Sequence, residues 1–255
     1  MPILIALLLG VVEGLTEYLP VSSTGHLVLV SRALGRQAGS FEIVIQLGAI
    51  LAVVVHYRGL LFSYLQRRDM RLFVSMLVGF VPVAIIGKLA GHAIKEHLFF
   101  PRPIAIALAV GGVVMIVIER LRKNKETLTG LEHVTPIRAF YIGLGQCFAL
   151  FPGASRSMCT IVAGQLTGLS TATAAEFSFL LGIPTLGAAC LYEGFKSRHE
   201  LAHDIGGAAM AVGLLTSFFV AWAVVASFLR YLKSHGLEPF GWYRILLAIA
   251  VLKFM

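Results

Sequence analysis

The stretch E-G-L-T-E-Y-L-P-V-S-S-T-G-H, Glu13 to His26, puts two carboxylates, the Ser22-Ser23-Thr24 hydroxyls and a histidine where an apolar span should run. Apolar sequence flanks it on both sides. In hydrocarbon an unpaired polar group costs roughly several kcal/mol, so ionisable residues at depth read as functional. A second polar island, P-G-A-S-R-S-M-C-T from Pro152 to Thr160, lies about half a chain later in similar surroundings. Two polar islands in an oily chain read as two halves of one buried site.

The remaining composition agrees. Of 255 residues 58% are apolar and 13% charged, with a mean hydropathy of +0.86. Soluble domains carry about 25% charged residues. Ile205 to Leu229 holds 25 residues without a formal charge, and Ser157 to Ala175 holds 19. About 20 apolar residues cross a bilayer as a helix. The short period-2 runs of a membrane β-barrel are absent. The fold class is therefore an all-α integral membrane protein. The net charge of +8 sits largely in short loops. That placement suits anionic lipid headgroups and the positive-inside bias, and no nucleic-acid partner is expected. Cys147, Cys159 and Cys190 lie in apolar segments without metal spacing and read as buried inert thiols. Met1 to Val12 lacks a basic start and is cut short by Glu13, unlike a cleavable signal peptide.

Ten apolar segments can be marked: 2–19, 22–34, 41–57, 72–90, 104–118, 137–151, 155–168, 173–192, 206–230 and 241–254. The last five start about 133 to 137 residues after the first five. Glu42 with Gly48 is echoed by Glu176 with Gly182, and Pro20 before Ser22-Ser23 by Pro152 before Ser155-Arg156-Ser157. This patterned duplication predicts one membrane domain over 1–255, with halves of about 1–125 and 135–255. Leu19-Pro20 and Phe151-Pro152-Gly153 each divide a pair of short segments. The residue before proline disfavours helix, and broken backbone at depth is tolerated only where it lines a polar cavity. Each pair therefore reads as a re-entrant hairpin, leaving about six transmembrane helices in an inverted repeat whose two tips approach each other. Lysines and arginines in loops then count twelve on the side of Arg58, Arg67, Arg68, Arg71, Arg120, Arg122, Lys123, Lys125, Arg138, Arg230, Lys233 and Arg244. The other side holds eight, Lys95 among them, which makes the first side cytoplasmic.

Glu13 and Glu17 share one helix face at i and i+4, where like charges repel. A shared proton, a bound divalent cation (Mg²⁺ or Ca²⁺) or an arginine must compensate. Ser22, Ser23 and Thr24 open a helix after the proline; one hydroxyl serves as N-cap, and the free N–H groups attract an anion. His26 lies one turn from Ser22 and Ser23, within reach of either hydroxyl or of the same anion. Arg156, between Ser155 and Ser157, needs an anion; its planar fork fits phosphate, and an ion pair with Glu13, Glu17 or Glu176 is the alternative. Gly153 allows close backbone approach. Together these residues point to a membrane enzyme or transporter for a phosphorylated lipid.

E-G-L-T-E matches the (E/Q)-x-x-x-E motif, and P-G-A-S-R-S-M-C-T matches the P-G-x-S-R-S-x-x-T motif, of the undecaprenyl-diphosphate phosphatase family, which V-S-S-T-G-H also resembles. The resemblance spans nearly the whole chain. It implies hydrolysis of undecaprenyl diphosphate to the monophosphate, recycling of the carrier lipid of cell-wall synthesis in the bacterial inner membrane, and bacitracin resistance. It also implies a site open to the outer face. By motif, Glu13 and Glu17 are the acidic pair for metal or proton transfer, and Ser23 and His26 the candidate nucleophile and base. Arg156 would bind the diphosphate with help from Ser155, Ser157 and Thr160. Ser23, His26 or a water activated by Glu17 could attack; Ser23 ranks first because a helix N-terminus eases ionisation of its hydroxyl. Partners on this reading are the polyprenyl diphosphate and membrane lipids, with a homodimer left open.

Two rivals differ in class. A polyprenyl phosphate transporter would use the same broken helices and phosphate site. His199-Glu200-Leu201-Ala202-His203 spells the H-E-x-x-H of zinc proteases, but in a short charged loop without an evident third ligand. A further phosphatase class with S-G-H and S-R motifs needs a histidine and an aspartate after the arginine, and Ser157 to Ala175 has neither.

Overall fold

The computed structural model describes residues 1–36, 39–98, 100–122 and 126–254. Of the loop cations that set the expected orientation, Lys123, Lys125 and the Lys95 side chain lie outside the described residues.

The apolar segments fold as helices, and both polar islands fall where helices break. α1 (Ile3–Thr16) stops ahead of Pro20, and α2 (Ser23–Ala33) begins three residues beyond that proline. The third segment divides at Ile45 into α3 (Ser40–Val44) and α4 (Gln46–His56), and α5 (Arg58–Gln66) bends away from them by 58°. Two long helices follow, α6 (Arg71–Leu98) and α7 (Pro101–Arg122). α8 (Pro136–Gln146) starts on a Thr135 cap with proline in the first turn, where its missing N–H costs nothing. A 3₁₀ turn at Cys147–Leu150 leads into Phe151-Pro152, after which α9 (Arg156–Leu166) begins. α10 (Thr171–Lys196), the single turn α11 (Arg198–Glu200), α12 (Gly207–Leu232) and α13 (Glu238–Phe254) complete the chain.

Among the described residues four helices are long and apolar enough to cross a membrane: Arg71–Gly91 within α6, then α7, α10 and α12; the bent α3–α5 unit makes five. The expected six would need α13, whose 17 residues stand at the lower end of what spans a bilayer. α2, α8 and α9 have 11 residues each, roughly 16 Å of helix, about half the hydrocarbon thickness. That length suits limbs that enter without crossing. With this composition the chain is a multi-pass membrane protein.

Each hairpin leans on a long helix from the opposite half: α1 packs along α12, and α8 along α6, while α7 and α13 pack on one another. In lipid, helices associate by close packing of small residues. A methyl group on Gly10 would meet the Gly213 carbonyl at 2.7 Å, and one on Gly143 would collide with the Gly79 carbonyl. Gly10 and Gly143 are 133 residues apart, as are the starts of α2 and α9. Around the breaks the interior is filled by Tyr18, Phe177, Phe179, Leu180 and Leu181.

Candidate active site

The two breaks meet. Ser157 Oγ at the second donates to the Leu19 carbonyl of the first at 2.8 Å, and Arg156 Nη2 donates to Glu17 Oε1 at 3.0 Å. Each helix restart uses a serine in the left-handed region, Ser22 at φ 72° and Ser155 at φ 73°, whose hydroxyl caps the N–H three residues on. Such a backbone costs about 1–3 kcal/mol for a non-glycine residue and persists where its surroundings over-determine it. The caps leave the first N–H groups of α2 and α9 at the junction, where helix ends favour negative charge.

Glu17 joins the two sides. While Arg156 holds its Oε1, Ser23 Oγ donates to its Oε2 at 2.7 Å. The ion pair is almost wholly sequestered, with side chains 9% and 4% exposed, so it is not a screened surface contact. Arg156 is steadied further by Nη1 donating to the Ser178 carbonyl at 2.9 Å and by the Tyr18 ring 5.3 Å from its Cζ. Ser178 Oγ in turn lies 2.6 Å from Thr160 Oγ1, which donates to the Arg156 carbonyl at 2.8 Å. Gly182 gives the guanidinium room, since a methyl group there would stand 3.0 Å from both Nη atoms. Of the sequence alternatives for this arginine, the structure shows the ion pair, made with Glu17.

Between the breaks lies a cavity of about 150 Å³, on which Glu17, Ser23, Thr24, Gly153, Ser155 and Arg156 open. Drug-sized pockets run to about 300 Å³ and more, so this one suits a small polar headgroup. Glu13 sits one turn behind, wholly buried near the Glu17 carboxyl, with neither oxygen in a hydrogen bond. Two orphaned carboxylate oxygens beside a second carboxylate fit a hard divalent cation.

Not every expected site residue faces the cavity. Ser22 caps α2, Ser157 ties the breaks together and Thr160 supports Arg156 from behind. His26, expected as the base for Ser23, looks the other way. Its Nδ1 is 2.8 Å from the Ser22 carbonyl, which can only accept, so Nδ1 carries hydrogen. Its Nε2 lies 2.6 Å from Tyr243 Oη, and the two rings stack. The carboxylate within reach of Ser23 is Glu17.

Three contributors went unread in the sequence. Gln46 lines the cavity; a lone amide within an apolar segment was the available signal. Tyr243 holds His26. Arg244, placed by its sequence among the loop cations, is instead fully buried, and among the described residues its donations all go to backbone carbonyls. The H-E-x-x-H run lies on α11 and a short π-helical turn, where Glu200 accepts from Ser40 Oγ at 2.8 Å. Among the described residues no group of three or more His, Cys, Asp or Glu side chains is placed to hold a metal.

Comparison with known proteins covers nearly the whole chain. The family model described as bacitracin resistance protein BacA matches residues 6–250. An undecaprenyl-diphosphatase of Sorangium cellulosum is 55% identical over 97% of this chain and 84% of its own length. Another, from Caldanaerobacter subterraneus, is 46% identical over 97% of this chain and 94% of its own. A third, from Campylobacter hominis, is 44% identical with both chains covered fully.

Proposed function

The chain belongs to the bacitracin resistance protein BacA family, and on that footing we propose that it hydrolyses undecaprenyl diphosphate to undecaprenyl phosphate and inorganic phosphate. The observation that carries the chemistry is the chain of contacts from Arg156 through Glu17 to Ser23, spanning both breaks at the cavity. The guanidinium is paired with the Glu17 carboxylate. A diphosphate offers the same planar fork more oxygens and displaces that carboxylate. Glu17 then keeps Ser23 alone and can accept its proton.

Ser23 Oγ attacks the terminal phosphorus as its proton passes to Glu17 Oε2. A P–O bond forms, the bridging P–O bond breaks, and undecaprenyl phosphate departs with the proton that Glu17 passes on to the leaving oxygen. Water next attacks the phosphoserine with Glu17 as base; the P–Oγ bond breaks, inorganic phosphate leaves and Ser23 regains its hydrogen. Arg156 and the free N–H groups of α2 and α9 spread the charge that grows on the phosphoryl oxygens, the term phosphoryl transfer most depends on. A divalent cation, Mg²⁺ or Ca²⁺, would be held by Glu13 and Glu17 and would neutralise phosphate charge when bound. The cavity faces the outer side of the bacterial inner membrane, and the arginine-rich loops around α5 face the cytoplasm. Hydrolysis there returns the carrier lipid to cell-wall synthesis and withdraws the diphosphate form that bacitracin sequesters.

Purified protein in detergent, with no gradient, is expected to release inorganic phosphate from undecaprenyl diphosphate with multiple turnovers. Stoichiometric binding without release would overturn the hydrolase reading and leave lipid transport.

A further inference from the structure

Arg244 is the largest of the fully buried side chains, and no carboxylate pairs with it among the described residues. Burying a guanidinium costs several kcal/mol or more, and neutral acceptors return only part of that. A core position of this size would be cheaper to fill with an apolar residue. Its contacts indicate what the charge is for. Nη1 donates to the Pro20 carbonyl at 3.2 Å, at the first break. Nη2 donates to the Gly153 and Ala154 carbonyls at 2.9 and 3.0 Å, at the second. Nε donates to Leu108 O at 3.3 Å, and Nη2 also reaches Ala107 O at 3.2 Å, which fixes the clasp to α7. Carbonyls beside a helix break have lost their intrahelical donors, and one guanidinium satisfies those of both breaks.

A trans peptide points its N–H opposite to its C=O, and among the described residues no peptide bond is cis. With the Ala154 carbonyl held by Arg244, the N–H of Ser155 in the same peptide unit faces away from the clasp. Ser155 lines the cavity. We propose that Arg244 is a positioning residue: by gripping the carbonyls of both breaks it fixes the Ser155 N–H on the cavity side, where that N–H donates to the bound diphosphate. The inference rests on the diphosphate reading of the cavity. Gly111 is the matching feature on α7, because a methyl group there would collide with Nη2 of Arg244.

Labelling with carbonyl-¹³C alanine and ¹⁵N serine marks two amides, since Ala154-Ser155 and Ala226-Ser227 are the two Ala-Ser steps in the chain. Farnesyl methylenebisphosphonate, whose P–C–P bridge resists hydrolysis, is expected to shift Ser155 and leave the exposed Ser227 in place. Arg244→Lys keeps the charge and loses the fork; it should abolish that shift and lower kcat for undecaprenyl diphosphate about 10²-fold, the effect of losing one oxyanion donor. KM should stay within about threefold, because the interaction strengthens in the transition state. Gly111→Ala should act in the same direction, with an unmoved Ser227 signal reporting an intact fold in both variants. A Ser155 amide indifferent to the bisphosphonate in the unsubstituted protein overturns the proposal. So does a full shift with kcat within about threefold in both variants. A Ser155 shift in a protein that releases no phosphate would instead remove the phosphatase reading and leave the clasp standing.

Discussion

The two breaks share a backbone and differ in charge. At each, proline ends the first limb, a serine in the left-handed region caps the second, and an 11-residue helix follows. The first break carries Glu17 and Ser23, an acceptor and a hydroxyl; the second carries Arg156 amid supporting hydroxyls. One scaffold thus appears with two opposite loads, and the loads meet across a gap closed by an ion pair. The like backbone brings two helix N-termini to one cavity. The difference in side chains sets a carboxylate from one break against a guanidinium from the other.

Removing the cation should break the comparison most severely. Arg156→Ala is expected to lower phosphate release about 10³-fold or more, the scale of an arginine acting on a transferring phosphoryl group. Folding should survive, because Glu17 keeps Ser23. The next contrast lies within the first break. Ser23→Ala should cost about 10²-fold, while His26→Ala, which loses a contact to Tyr243 on the far side, should cost less than about tenfold. Equal losses measured side by side would return His26 to the catalytic group. Gly182→Ala tests the support of the second break: a methyl group 3.0 Å from both Nη atoms should push Arg156 off Glu17 and cost about tenfold in kcat. The smallest effect concerns the shared backbone. Ser22→Gly and Ser155→Gly lose a cap but relieve a left-handed serine, so each should change unfolding free energy by less than about 1 kcal/mol. Ser→Ala at either site keeps the strain and loses the cap, and should be the worse by about 1 kcal/mol in denaturant titration.

Much of this was legible in the sequence, and what was hidden has a common cause. The helices follow the apolar segments, and the breaks fall at Leu19-Pro20 and Phe151-Pro152 because proline leaves a local mark. The meeting of Glu17 with Arg156 could be inferred from two charges that each needed a partner at depth. The partner of Ser23 could not, since His26 lies nearer to it in sequence than Glu17 and only the turn geometry decides between them. Ile45 divides the third segment with no proline beside it to announce the break. Arg244 was misplaced because its acceptors are backbone carbonyls from three separate segments, which no residue type encodes. An arginine within the apolar segment 241–254 was nonetheless a signal, of the same kind that singled out Arg156.

The central claim is that both breaks act on one substrate as a unit, and the most direct test is a double-mutant cycle on phosphate release from undecaprenyl diphosphate. Residues of a single catalytic assembly lose activity non-additively. Glu17→Gln and Arg156→Ala should each be crippling, and the double variant should be no slower than the worse of the two by more than about threefold. Losses that multiply in full would show two independent contributions and contradict the joint site.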